Sequence, residues 1–104
     1  MTLPELNPLI HAPVRLQICA ILFATDEAEF ALVREETGVS ESVLSKQVKL
    51  LDEAGYVAVR KAIFASRQRT WLSLTEAGRK AFASHMRALT GLAARAASGA
   101  GAAE

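Results

Sequence analysis

A single cysteine, Cys19, occurs in these 104 residues, so no internal disulfide can form. Ile18, Ala20, Ile21, Leu22 and Phe23 surround it, which makes it a small buried hydrophobe rather than a reactive thiol. An intracellular, cytoplasmic protein is implied. Histidine is scarce as well. His11 and His85 stand far apart with no Cys/His cluster around them, so no metal site is expected, and nothing supports a pH-sensing role for His85. The chain has no apolar run near the ~20 residues that cross a bilayer, and no secretory signal opens it. A membrane is therefore not an expected partner. Ser42 and Ser45 have no evident histidine base or oxyanion-forming glycine motif, and no glycine loop of the phosphate-cradling kind is present. Neither an enzyme nor a cofactor is expected.

Excess charge is missing too: 12 Lys and Arg stand against 11 Asp and Glu. The charges are nonetheless segregated. Asp26, Glu27, Glu29, Glu35 and Glu36 gather before Gly38, whereas Arg60, Lys61, Arg67 and Arg69 gather after it. Such a chain can present one basic face despite a neutral total. Taken alone, the two clusters fit two solvated faces equally well. Apolar residues make up 51% of the chain, enough for one core at a length that builds a single domain.

Leu3, Leu6, Leu9 and Ile10 form a short apolar-spaced segment before Pro13, a residue suited to the first turn of a helix. From Val14 to about Ala24 the chain is apolar nearly all round, apart from Arg15 and Gln17, which predicts a central helix. Thr25 to Glu29 reads as a loop and Phe30 as part of a very short strand. Ala31 to Thr37 reads as a second helix closed by Gly38. Ser40 has the chemistry to cap a third, on which Leu44, Val48 and Leu51 keep the spacing of an inward stripe until Gly55. Ser42, Lys46 and Lys49 then lie on the opposite face, with Ser45 at its margin. Tyr56 to Arg60 and Thr70 to Leu74 read as two antiparallel strands, joined by a segment longer than a tight turn. Thr75 is a good cap for a last helix, along which Phe82, His85, Met86, Leu89 and Leu92 keep helical spacing. Trp71 is read as a packing residue. The division is residues 1–93 as one domain with flanking helices, and 94–104 as an Ala/Gly-rich frayed tail.

Four segments carry a family likeness: Ser40-Glu41-Ser42-Val43-Leu44-Ser45-Lys46, Leu51-Asp52-Glu53-Ala54-Gly55-Tyr56-Val57, Arg69-Thr70-Trp71, and Leu74-Thr75-Glu76-Ala77-Gly78-Arg79. In that order, over roughly residues 8 to 92, the chain resembles small winged-helix transcriptional regulators of the MarR-like superfamily. The resemblance implies an α+β, mainly α fold: a winged helix-turn-helix with a two-stranded wing and a C-terminal dimerisation helix. It also implies a homodimer whose third helices enter successive major grooves of double-stranded DNA while the wings reach the backbone or the minor groove. By position, Ser42, Ser45, Lys46 and Lys49 would contact DNA from the helix, and Arg67 and Arg69 from the wing. The flanking helices are shorter than in larger MarR proteins, which leaves no obvious counterpart of their ligand pocket. The chain is similar in size to the arsenic-type metal sensors, but those use paired cysteines.

The expected function is therefore that of a sequence-specific DNA-binding regulator, a homodimeric repressor on a palindromic operator. Leu6, Leu9, Phe82, Met86, Leu89 and Leu92 are the expected dimer contacts, because a stripe of that length left in water would be a sizeable apolar patch. The alternative is a winged-helix protein-interaction module that does not bind DNA. A third reading is a ligand-gated regulator, with a small-molecule effector held between the core and the dimer helices.

Overall fold

The computed structural model describes residues 5–102. Leu3 of the expected N-terminal segment lies outside them. The chain runs α1 (Pro8–His11), α2 (Pro13–Phe23), β1 (Ala28–Glu29), α3 (Phe30–Thr37), α4 (Glu41–Glu53), β2 (Val57–Phe64), β3 (Arg67–Leu74) and α5 (Glu76–Ala102). The three strands form an antiparallel sheet in the order β1-β3-β2. This is a mainly helical winged helix-turn-helix, as the sequence predicts. Because Pro8–His11 forms a helix of its own, capped by the Asn7 side chain, the expected third helix is α4.

α2 packs against α3, α4, α5 and β3, so it is central. It buries only one stripe, Ile18, Cys19 and Leu22, and leaves Ala20 and Phe23 exposed. Burial pushes the Cys19 thiol up to about 11, with Arg15 opposing, so it stays protonated at neutral pH. Arg79 of α5 donates to the carbonyls of Leu22, Phe23 and Thr25, which supplies partners for the unpaired end of α2.

Two local readings are corrected. Phe30 is the first residue of α3, and the short strand is Ala28–Glu29 before it. The strands are longer than expected and meet in a two-residue turn, Ala65-Ser66, with φ of 51° and 64°. A type I′ hairpin turn needs positive φ at both positions, and Ala-Ser carries none of the Asn-Gly signal that announces one. The last helix spans Glu76–Ala102 and so takes in the Ala/Gly/Ser-rich segment from Ala94. Alanine is the strongest helix former, so the segment can stay helical with no core beneath it.

The core gathers Ile10, Ile18, Leu22, Val33, Leu44, Leu51, Val57 and Leu72 under α5. His85 is also inside, at 1% exposure. Its Nδ1 accepts the Asn7 backbone N–H at 2.9 Å, and its Nε2 lies 3.2 Å from His11 Nδ1. Two histidines far apart in sequence thus touch. With Nδ1 accepting, the neutral ring carries its proton on Nε2 and donates to His11. Burial, and then the nearby His11, hold the His85 pKa below its ordinary 6.5. An unfolded chain therefore takes up this proton before the folded one does. The contribution of His85 to stability is full above that ordinary value and is lost as pH falls through the folded-state pKa. Thermal melts from pH 8 to pH 5 are expected to show the loss, and His85→Leu is expected to be less stable at pH 8 but flatter in pH.

Candidate nucleic-acid interface

Ser40 Oγ accepts the Val43 N–H at 3.2 Å and starts α4, while Gly55 at φ +80° turns the chain out of it. Leu44, Val48 and Leu51 are buried along its inner side. Each buried apolar side chain contributes about 1.5–3 kcal/mol and the cap about 1 kcal/mol, so the seam sets the helix's rotation and the cap sets its first residue. Arg15 adds a polar tie, donating to the Leu9 carbonyl and to Gln47 Oε1 of α4, each at 2.6 Å. The face left outward holds Ser42, Ser45, Lys46 and Lys49, all exposed and within an arc of about 100°.

The β2–β3 hairpin stands beside this helix. Its register pairs Val57 with Leu74, Val59 with Leu72, Lys61 with Thr70 and Ile63 with Gln68 on the side facing α4. Arg60, Ala62 and Phe64 pair with Trp71, Arg69 and Arg67 on the other side. A groove of about 340 Å³ separates helix and hairpin, lined by Ser45, Lys49 and Asp52 on one wall and Val59, Lys61 and Thr70 on the other. Towards the tip it gives way to a hollow of about 490 Å³, with Arg34, Glu41, Arg67 and Arg69 at its edges.

The acidic and basic clusters of the sequence meet here, because β1 pairs with β3. Arg60 binds the Glu27 carboxylate through two bonds of 2.9 and 2.7 Å, and this hydrogen bonding holds Glu27 below the usual carboxylate range. Arg69 reaches Glu29 at 3.4 Å and lies over the Phe64 ring at 5.1 Å. Half of the expected basic cluster is thus neutralised within the domain. Among the described residues, Lys46, Lys49, Lys61 and Arg67 make no ion pair. Arg67 and Arg69 therefore differ: the first is open, the second is tied to β1. Lys61 was not singled out as a contact by sequence. Extending the β2 alternation from Val57 and Val59 through the tip would have placed it on the α4 side. Trp71 is half-buried, with the Arg60 guanidinium 5.7 Å from its ring.

The expected dimer contacts divide in the same way. Phe82 is only 7% exposed, sits in the chain's own core and packs on Phe23 with ring centroids 5.1 Å apart. It lies on the inward stripe of α5, with Gly78, His85 and Ala88, which is covered within the domain. Leu9 likewise packs against the core, whereas Met86 and Leu92 are 39% and 38% exposed. Leu6 and Leu89 are half-buried.

A polar helix face after a glycine turn, flanked by a two-stranded hairpin, defines a winged helix-turn-helix. The winged helix DNA-binding domain family matches residues 14–93, and the chain belongs to that family. The likeness to small MarR-like winged-helix proteins is borne out with it. An uncharacterised protein of Methanocaldococcus jannaschii is 28% identical over 78 residues, spanning 75% of this chain and 85% of that one. The structure of a transcriptional regulator homologue from Pyrococcus horikoshii shares the fold at a TM-score of 0.78 and 24% identity, over 83% of this chain and 85% of that one. The transcriptional repressor BigR from Xylella fastidiosa aligns at a TM-score of 0.66 and 28% identity, over 80% and 78%. Among the described residues no helix is long and apolar enough to cross a membrane.

Proposed function

We propose that this protein is a sequence-specific, duplex-DNA-binding transcriptional regulator that acts as a homodimeric repressor on a palindromic operator. One observation carries the reading: Lys46 and Lys49, which make no ion pair among the described residues, stand beside Ser42 and Ser45 on the outward face of α4, with Lys61 across the groove and Arg67 at the edge of the adjoining hollow. Lysine serves phosphate charge or a guanine edge, and serine donates or accepts at a base edge. Arg67 suits a phosphate or a narrow minor groove, while Arg69 has first to leave Glu29. The likeness to BigR, a repressor, supports the sign of control. Selection of fragments from random duplex DNA, followed by titration at several salt concentrations, tests the reading. Enriched sequences bound with a steep salt slope are expected. A scaffold module would enrich nothing and show no slope.

The dimer is proposed to form through Leu6, Met86, Leu89 and Leu92, leaving out Phe82 and Leu9. α5 is about 40 Å long, and beyond Ala88 none of the residues through Gly99 is buried, so its second half is a projecting arm. A twofold partner that covers the arm would set two α4 helices about one DNA turn, ~34 Å, apart. Met86→Glu/Leu92→Glu changes only exposed side chains. A folded monomer by sedimentation is expected, with operator affinity reduced about 100-fold or more through lost bivalency. A dimer as tight as the parent's moves the interface elsewhere.

A further inference from the structure

The most exposed large hydrophobic residues of the described chain are Ile63 at 79% and Phe64 at 64%, both at the tip of the hairpin. Nothing in the domain explains their exposure. We propose that they form an apolar wedge that enters the minor groove of bound duplex DNA and opens a base step, bending the duplex. The inference rests on the DNA-binding reading above and adds to it a mode of contact other than charge.

Strand alternation puts the two side chains on opposite sides of the ribbon. Ile63 is on the side of Lys61 and α4, and Phe64 is on the side of Arg69 and Trp71. A flat partner could cover one of them and would leave the other wet. A cleft entered end-on contacts both. The turn beyond them is only Ala65-Ser66, two small residues, so nothing bulky precedes the wedge into such a cleft.

Charge selects the kind of cleft. Residues 60–69 contain no acid, Arg67 pairs in register with Phe64 and has no ion-pair partner among the described residues, and the Arg69 guanidinium lies 5.1 Å from the Phe64 ring. An apolar tip collared by cations is complementary to a groove with phosphates along both rims and base edges at its floor. The major groove, about 12 Å wide, gives a tip of this size little to grip. The minor groove, about 6 Å wide, does not admit two strands ~4.8 Å apart with their side chains unless it opens. Apolar side chains inserted at a base step supply that opening, and wedges of this kind kink DNA by ~20–90°.

The test uses the full chain and a duplex of about 30 bp selected by it from a random pool, with dyes at both ends and 2-aminopurine at flexible pyrimidine–purine steps. Wild type is expected to shorten the end-to-end distance and brighten 2-aminopurine at one step. Ile63→Ser/Phe64→Ala is expected to bind a straight duplex about tenfold more weakly. Its salt slope should be unchanged, since no cation is lost. Phe64→Leu should keep the bend. A straight wild-type complex, or the same bend in the double variant, overturns the wedge while leaving DNA binding intact. No duplex bound by wild type at low salt overturns the DNA-binding reading and the wedge with it. Co-sedimentation with phosphatidylglycerol vesicles that only the double variant loses, together with an unbent duplex, reassigns the tip to a membrane surface.

Discussion

Lys46→Ala/Lys49→Ala is expected to weaken operator binding about 10²–10³-fold at 0.15 M salt while the fold stays intact. Each phosphate contact contributes ~0.9 to the slope of log affinity against log salt, so two contacts from each protomer of a dimer remove about 3.6 from it. The affinity loss follows from the same four contacts if counterion release is their whole effect. Both lysines are exposed and neither makes an ion pair with a described residue. Their removal should therefore leave stability within about 0.5 kcal/mol. Titration at four salt concentrations beside a thermal melt separates the two quantities. Unchanged slope and affinity in a folded double variant would remove α4 from the interface.

Gly78→Ala is expected to destabilise the domain by about 2–4 kcal/mol, lowering Tm by ten degrees or more. In an open helix the same change stabilises by about 1 kcal/mol, so the sign itself is diagnostic. A Cβ at Gly78 would run into the Tyr56 carbonyl, with its carbon 2.9 Å away, and would press on Leu74 Cδ2 at 3.1 Å. That carbonyl cannot retreat freely, because it accepts the Thr75 N–H at 3.0 Å. Thr75 is fixed in turn: its hydroxyl donates to the Gly55 carbonyl and accepts the Gly78 N–H. The first turn of α5 is thus pressed against the chain leaving α4, and this close approach sets the angle at which the projecting arm departs. Gly99→Ala is the control, since nothing lies within 4 Å of that position, and it should leave Tm unchanged or raised. Calorimetry of the two variants decides the matter, and a stable Gly78→Ala protein would mean that the helix is free to shift.

Much of this architecture is legible one segment at a time. The Ser40 and Thr75 caps, the Gly38 and Gly55 stops and the Leu44-Val48-Leu51 seam are properties of neighbours a few residues apart, and all are found as read. The outward face of α4 follows from that seam by helical geometry alone. The wing is less legible. Ala65-Ser66 adopts positive φ without glycine or asparagine, so the strands reach four residues further on one side and three on the other than composition suggests. Lys61, Ile63 and Phe64 change from loop residues to strand residues as a result.

The sequence by itself determined the class of fold, the order of the elements and the face of α4, because capping, turn chemistry and apolar period act through local backbone geometry. Only the tertiary structure decided which charges remain available and which apolar residues remain in water. Arg60 and Arg69 are taken up by Glu27 and Glu29 because β1 pairs with β3, a contact across some 40 residues that no local pattern announces. Phe82 lies inside and Met86 outside, though both keep helical spacing, because the position of α2 and Phe23 beneath α5 determines which stripe is covered. His11 and His85 meet for the same reason: burial and pairing depend on what is packed opposite, and that depends on the whole chain.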